Sequence, residues 1–300
     1  MRIPPIRTRT VRGDGVDLHV QTAGDGPPVV LLHGFPESPH VWRHQLSPLV
    51  DAGFSVLVPE MRGYGRSGRP ASVEAYRNER LVGDVAGLVR ESGHARAHVV
   101  GHDWGGIVAW AFAAHHPDLL GRLVVMNAPH LALWAERVRR PPQMIRSLYA
   151  AAFQLPVVPE WVLAAGGFAL LRQTIRAVHA RQETLLEDDI DRYIAALRPP
   201  GALTAALNYY RALRLPGARA FGEAPTDAET LVVWGERDPA LGLDLLDGLD
   251  RVAPNARVHR IPDAGHTVQV EAADEVNSVL VPFLQRAGPG ALAKPDAQVS

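Results

Sequence analysis

"VVGHDWGG" (residues 99–106) runs from two valines through a tight turn into an apolar, helix-forming stretch. Gly101 and Gly105 bracket His102, Asp103 and Trp104 at the small-x-x-x-small spacing of a nucleophile elbow. Such a turn lifts its central side chain clear of the end of a strand. The central residue is usually Ser; here it is Asp103. A carboxylate in that place asks for a chemistry other than that of a hydroxyl.

The sequence around the elbow alternates strand and helix. "VDLHVQTAG" (16–24) has a period of two and predicts an outer strand. "PPVVLLHG" (27–34) and the start of "FSVLVPEMRGYGRSG" (54–68) are unbroken apolar runs, as strands buried on both faces require. Residues 78–92 read as a helix, the elbow opens one that Pro117 stops after His116, and "GRLVVMNAP" (121–129) reads as a further strand. Residues 131–214 then carry helical patterns, several prolines and no convincing strand. Alternation returns with strands in "TLVVWGERD" (230–238) and "ARVHRIPDAGH" (256–266) and helices over 241–252 and 272–286. The pattern predicts an α/β fold with a mostly parallel central sheet and helices on both faces. The core is expected at 1–130 and 215–287, an inserted helical cap at 131–214 and a flexible tail at 288–300.

Composition narrows the function classes. The 300 residues carry 31 basic and 32 acidic side chains, a formal net charge of −1 that gives no electrostatic reason to expect nucleic acid. Cysteine is absent, which excludes disulfides and a thiol nucleophile and suits a cytoplasmic protein. The N-terminus has arginines and no apolar core of a secretory signal. The longest apolar stretch, "WVLAAGGFALL" (161–171), is too short to span a bilayer and reads as a buried or pocket-facing helix. No metal-ligand spacing, phosphate loop or dinucleotide fingerprint occurs, so no cofactor and no metal are expected.

Three strand ends carry titratable groups: Asp103, Asp238 and His266. Ligands of open parallel sheets bind beyond the carboxyl ends of the strands. The chain order is nucleophile, acid, histidine. His266 is suited to activate a water, and Asp238 to fix its tautomer and stabilise the imidazolium. Glu236 and Asp263 are the nearby rivals of Asp238.

With these residues the chain resembles the α/β-hydrolase superfamily and, within it, the epoxide hydrolases. The resemblance spans about residues 15–287 and rests on "HGFPES" (33–38), "RGYGRSG" (62–68), "GHDWGG" (101–106), "GERD" (235–238) and "GHTVQVE" (265–271). It implies the α/β-hydrolase fold, a cis Phe35–Pro36 bond, and an oxyanion hole made by the backbone N–H groups of Phe35 and Trp104. It also implies two tyrosine donors in the cap. Tyr210 matches through "NYYR" (208–211), with Tyr209 as its rival, and Tyr149 lies four residues before Phe153–Gln154. Glu60 stands where this family often has Asp, a change expected to bear on loop anchoring only. His33 and His102 are expected to make structural hydrogen bonds, and His130 a hinge or cap contact.

The Asp elbow fits attack on a strained or activated saturated carbon, giving an alkyl ester of Asp103 that His266-activated water then hydrolyses. An opening epoxide needs a proton donor such as Tyr. The expected substrate is a small apolar epoxide, with water as co-substrate, bound by Phe35, Trp104, Phe153 and Tyr209, with Trp161 and Phe168 adding apolar surface in the cap. Oligomeric state is open. A dehalogenase with the same Asp–His–Asp set is the alternative; Phe35, which offers no side-chain donor to a halide, and Trp rather than Arg after Asp103 weigh against it. A non-catalytic small-molecule-binding protein is the other reading, against which the unbroken triad stands.

Overall fold

The computed structural model describes residues 5–286, so the tail expected at 288–300 lies outside the described residues. Among the described residues, eight strands form one sheet: β1 (Arg7–Arg12), β2 (Asp17–Ala23), β3 (Pro28–Leu32), β4 (Ser55–Pro59), β5 (Ala97–His102), β6 (Leu120–Met126), β7 (Thr230–Gly235) and β8 (Ala256–Ile261). Their order is β1-β2-β4-β3-β5-β6-β7-β8. β2 runs antiparallel to both neighbours, and the strands from β4 to β8 are parallel. The expected α/β class with a mostly parallel sheet is the one observed.

Burial explains which strands form the centre. Every residue of β3, β5 and β7 is buried, and their continuous Val and Leu runs are what two-sided burial demands. β1 was not foreseen: its Arg–Thr alternation has no apolar face, and only Val11 is buried. It is an edge strand, as is β8, which exposes Arg257 and Arg260. Charged side chains along both edges discourage pairing with another chain.

Helices α1 (Arg43–Asp51), also unforeseen, α2 (Asn78–Glu91) and α3 (Trp104–His115) follow β3, β4 and β5. Between β6 and β7 lie α4 (Leu131–Arg137), α5 (Pro141–Arg146), α6 (Leu148–Ala152), α7 (Val158–Val178), α8 (Glu187–Leu197), α9 (Ala202–Ala212) and α10 (Ala218–Gly222). The chain ends through α11 (Leu249–Val252), α12 (Val268–Glu271) and α13 (Ala273–Gln285). α1 packs on α13, while α2 packs on α3 and α10.

Two helix expectations need correction. The stretch 161–171 is not one buried helix: α7 is broken at Ala165–Phe168, where Gly166 and Gly167 take positive φ. Its Trp161 is 74% exposed, and neither Trp161 nor Phe168 lines either of the two cavities at Asp103, contrary to the expectation. The helix expected at 241–252 is a 3-10 turn (Leu243–Leu246) and α11, separated by Gly248 at φ 84°. No helix among the described residues is long and apolar enough to cross a membrane.

Candidate active site

Asp103 sits between β5 and α3 with φ 49° and ψ −121°. A non-glycine residue held there costs on the order of 1–3 kcal/mol, and the surroundings must enforce it. The small residues around it are a packing requirement. A Cβ on Gly105 would meet the Leu32 carbonyl oxygen at 2.2 Å, and one on Gly101 would meet the Gly105 oxygen at 2.3 Å. Those contacts let α3 start directly against β3 and β5.

The Asp103 carboxylate is almost buried, and the backbone N–H of Phe35 donates to its Oδ1 at 2.8 Å. Burial raises the Asp103 pKa; His266, His102 and the N–H groups of Phe35 and Trp104 oppose it without cancelling it. The two N–H groups expected to form an oxyanion hole thus both address the elbow carboxylate. The Phe35–Pro36 peptide is cis.

His266 Nδ1 donates to Asp238 Oδ2 at 2.7 Å, and its Nε2 stands 3.7 Å from Asp103 Oδ2. Burial acts to lower the His266 pKa, but the charge and hydrogen bond of Asp238, with the charges of Asp103 and Glu37, raise it to about 10. Asp238 is itself held low, because His266, Asn127 and the Leu241 N–H outweigh its burial. The rivals are engaged elsewhere: Glu236 pairs with Arg260 and Asp263 with Arg181.

Tyr149 and Tyr210 face this group from α6 and α9, with ring centroids 6.0 Å apart. The Tyr210 ring also lies edge-on to Trp104 at 4.9 Å, Phe153 at 5.1 Å and Phe35 at 5.7 Å. Burial, followed by the charge of Asp103 and Asp238, pushes the Tyr149 phenol up; burial, Tyr149 and Asp103 do the same at Tyr210. Both hydroxyls therefore keep their protons through neutral pH.

Tyr209 is the expectation that the geometry overturns. Its hydroxyl donates to the Arg62 carbonyl at 2.8 Å, and its ring packs on Tyr64, Tyr76 and Trp104. Neighbouring residues on α9 point about 100° apart, so with Tyr210 toward Asp103, Tyr209 turns into the core and lines neither cavity at Asp103.

Two cavities meet at Asp103, Tyr149 and Tyr210. One of about 740 Å³ is bounded by Trp104, Trp134 and Leu213. The other, about 510 Å³, is lined in part by α6 and α7 and is bounded by Phe35, Phe153, Leu163, Ile175 and His266.

Other groups support these. Asn127, not singled out in the sequence, donates to Asp238 Oδ2 at 2.9 Å and accepts the Gly235 N–H at 2.8 Å. Its place at the end of β6, beside β7, was the available signal. His102 places Nδ1 2.9 Å from Glu37 Oε2 and Nε2 2.9 Å from the His266 carbonyl. His33 accepts the Met61 N–H through Nε2 at 3.0 Å. His130 caps α4 and reaches the Ala224 carbonyl at 3.1 Å. Glu60 accepts the Arg66 N–H and so anchors the glycine-rich loop. Among the described residues no cluster of His, Asp or Glu could hold a metal ion.

The sequence matches the family described as alpha/beta hydrolase fold over residues 27–273. It is 38% identical to the AB hydrolase superfamily protein YfhM of Bacillus subtilis, over 93% of this chain and 98% of that protein. It is 35% identical to epoxide hydrolase 3 of Xenopus tropicalis, over 92% of this chain and 76% of that protein. The crystal structure of a Bacillus megaterium epoxide hydrolase in complex with an inhibitor superposes with a TM-score of 0.83 at 29% identity, covering 92% of this chain and 99% of that one.

Proposed function

The chain belongs to the epoxide hydrolases of the α/β-hydrolase superfamily, hydrolases acting on ether bonds, and from that premise we propose that it forms a vicinal diol through an alkyl ester on Asp103. The observation that carries this reading is the convergence of Asp103, the His266–Asp238 pair and the two protonated phenols on the junction of the cavities.

An Asp103 oxygen attacks an epoxide carbon, and the C–O bond to the ring oxygen breaks. Tyr149 and Tyr210 hold that oxygen, and one of them supplies its proton. The product is a hydroxyalkyl ester. Esterification removes the Asp103 charge, one of the influences that raise the His266 pKa, so more of His266 stands in the neutral form that can accept a proton at that stage. It takes a proton from water, which attacks the ester carbonyl, while the N–H groups of Phe35 and Trp104 hold the developing oxyanion. Asp238 fixes the imidazole and balances its charge. Collapse expels the alkoxide, which takes the proton back from the His266 imidazolium to complete the diol, and the Asp103 carboxyl proton returns to the tyrosinate, which restores the carboxylate and the phenol. The substrate is a small apolar epoxide, since apolar side chains dominate both cavities. The cysteine-free composition fits a cytoplasmic setting.

Single turnover in ¹⁸O-water tests the route. Water attacks the ester carbonyl, so the label is expected in the Asp103 peptide and not in the first diol. Label in the diol alone would mean direct attack by water. The halide-cleaving alternative predicts free halide from haloalkanes and no diol from styrene oxide.

A further inference from the structure

We propose that Glu271 is a positioning residue for His266, tying the loop that carries the histidine to the cap segment that ends α7; this rests on the alkyl-ester reading above. Glu271 ends α12 and is 2% exposed, although it lines neither cavity. Its Oε2 accepts the backbone N–H groups of Ala180 at 2.7 Å, Gly265 at 2.9 Å and Arg181 at 3.0 Å, and its Oε1 accepts that of Thr267 at 3.2 Å. Two of these donors flank His266 and two belong to the segment between α7 and α8.

Further bonds close the same junction. The His266 N–H donates to the Val178 carbonyl at 3.0 Å. His179 donates through Nδ1 to the Ile175 carbonyl at 2.8 Å, so its Nε2, 2.8 Å from Thr267 Oγ1, accepts the hydroxyl proton. Arg181 reaches the Glu271 carbonyl at 3.0 Å. The approach is too close for a side chain: a Cβ on Gly265 would lie 2.6 Å from the Val178 oxygen and 2.8 Å from the Ala180 nitrogen.

A carboxylate that receives four backbone donors fixes two chain segments at once, and no other side-chain type offers four acceptor sites in that plane. Val178 and His179 also bound the apolar cavity together with His266 and Thr267, so the junction sets the place of the base relative to the cavity wall. The Glu271 carboxylate bonds to Ala180, Arg181, Gly265 and Thr267, and not to Asp103, Phe35, Trp104, Tyr149 or Tyr210, the groups that serve ester formation. Loss of its carboxylate therefore acts on ester hydrolysis, the one step that uses His266.

The test is rapid quench of the full chain with styrene oxide, following the Asp103 ester by mass spectrometry in wild type, Glu271→Gln, Glu271→Asp and His266→Gln. Glu271→Gln sets an NH2 group against backbone N–H donors. Ester decay is expected to slow by about 10²-fold, as small displacements of a reacting group do. Ester formation per active molecule is expected to stay within about 2-fold, and Glu271→Asp to recover part of the decay rate. A residue needed only for stability would lower the amount of ester formed, through the folded fraction, and leave both rate constants unchanged; unchanged decay, or equal slowing of formation and decay, overturns the proposal. If His266→Gln also accumulates no ester, the alkyl-ester reading falls, and this inference with it.

Discussion

His266 Nε2 stands 3.7 Å from Asp103 Oδ2, close enough for charge attraction and too far for a hydrogen bond. The nucleophile is thus held by the Phe35 N–H and faced by an imidazolium, with neither of its oxygens consumed by His266. Once Asp103 is an ester the attraction is gone, and Nε2 is free to face a water. One contact therefore serves two states of the carboxylate.

The first prediction concerns pH. In the free protein the His266 pKa is about 10, raised against burial chiefly by Asp238. In the ester the Asp103 contribution is removed, so the decay of trapped ester should rise with pH and level off below pH 10. Decay that is flat from pH 6 to 10 would mean His266 is not the base. Asp238→Asn should lower the plateau by about 10⁴-fold, because the imidazole loses both its tautomer and its counter-charge.

The same shift predicts a stability profile. A group whose folded pKa is raised contributes stability that is fully present below its unfolded pKa, near 6.5, and is lost as pH rises through the folded value, near 10. Denaturant unfolding between pH 6.5 and 10 should show this loss in wild type. Asp238→Asn, which removes the largest raising influence, should flatten it.

A third prediction separates the tyrosines. Tyr149→Phe and Tyr210→Phe should each slow epoxide opening by about 10²-fold, the lower range for a general acid, and leave ester decay unchanged. Tyr209→Phe should instead lose about 1 kcal/mol of stability, the worth of its bond to the Arg62 carbonyl, with turnover kept. Thermal unfolding beside pre-steady-state kinetics would distinguish them. A Tyr209→Phe enzyme with slow ring opening would reverse the assignment made from α9.

The positions of Asp103, Asp238 and His266 were legible because each follows an apolar run at a strand end, where chain order and spacing constrain the geometry. β1 was not legible, since an edge strand of alternating Arg and Thr lacks the apolar periodicity by which strands are recognised. The choice between Tyr209 and Tyr210 depended on the rotation of α9 about its axis, which adjacent residues do not encode. The break in α7 was signalled by Gly166–Gly167, but the apolar residues on both sides suggested continuity. Glu271 gave no signal as a support of His266, because its partners are backbone N–H groups of distant segments.

Asn127 yields the last prediction. It lies at the end of β6 with φ 38° and links three groups: it donates to Asp238 Oδ2, donates to the Gly235 carbonyl at 3.3 Å and accepts the Gly235 N–H. Its donation helps hold Asp238 in the charged form against burial. Asn127→Ala leaves the buried Gly235 N–H without a partner, at a cost of about 1–3 kcal/mol. It also weakens the influence that raises His266, so the pH plateau of ester decay should shift downward while ring opening is preserved. Asn127→Asp places a second carboxylate beside Asp238 and should be the more damaging change, since like charges in a buried site disfavour ionisation of both. If the two variants decay the ester at the wild-type rate and plateau at the wild-type pH, Asn127 only stitches β6 to β7, and Asp238 is held by His266 and the N–H groups of Ala240 and Leu241 alone.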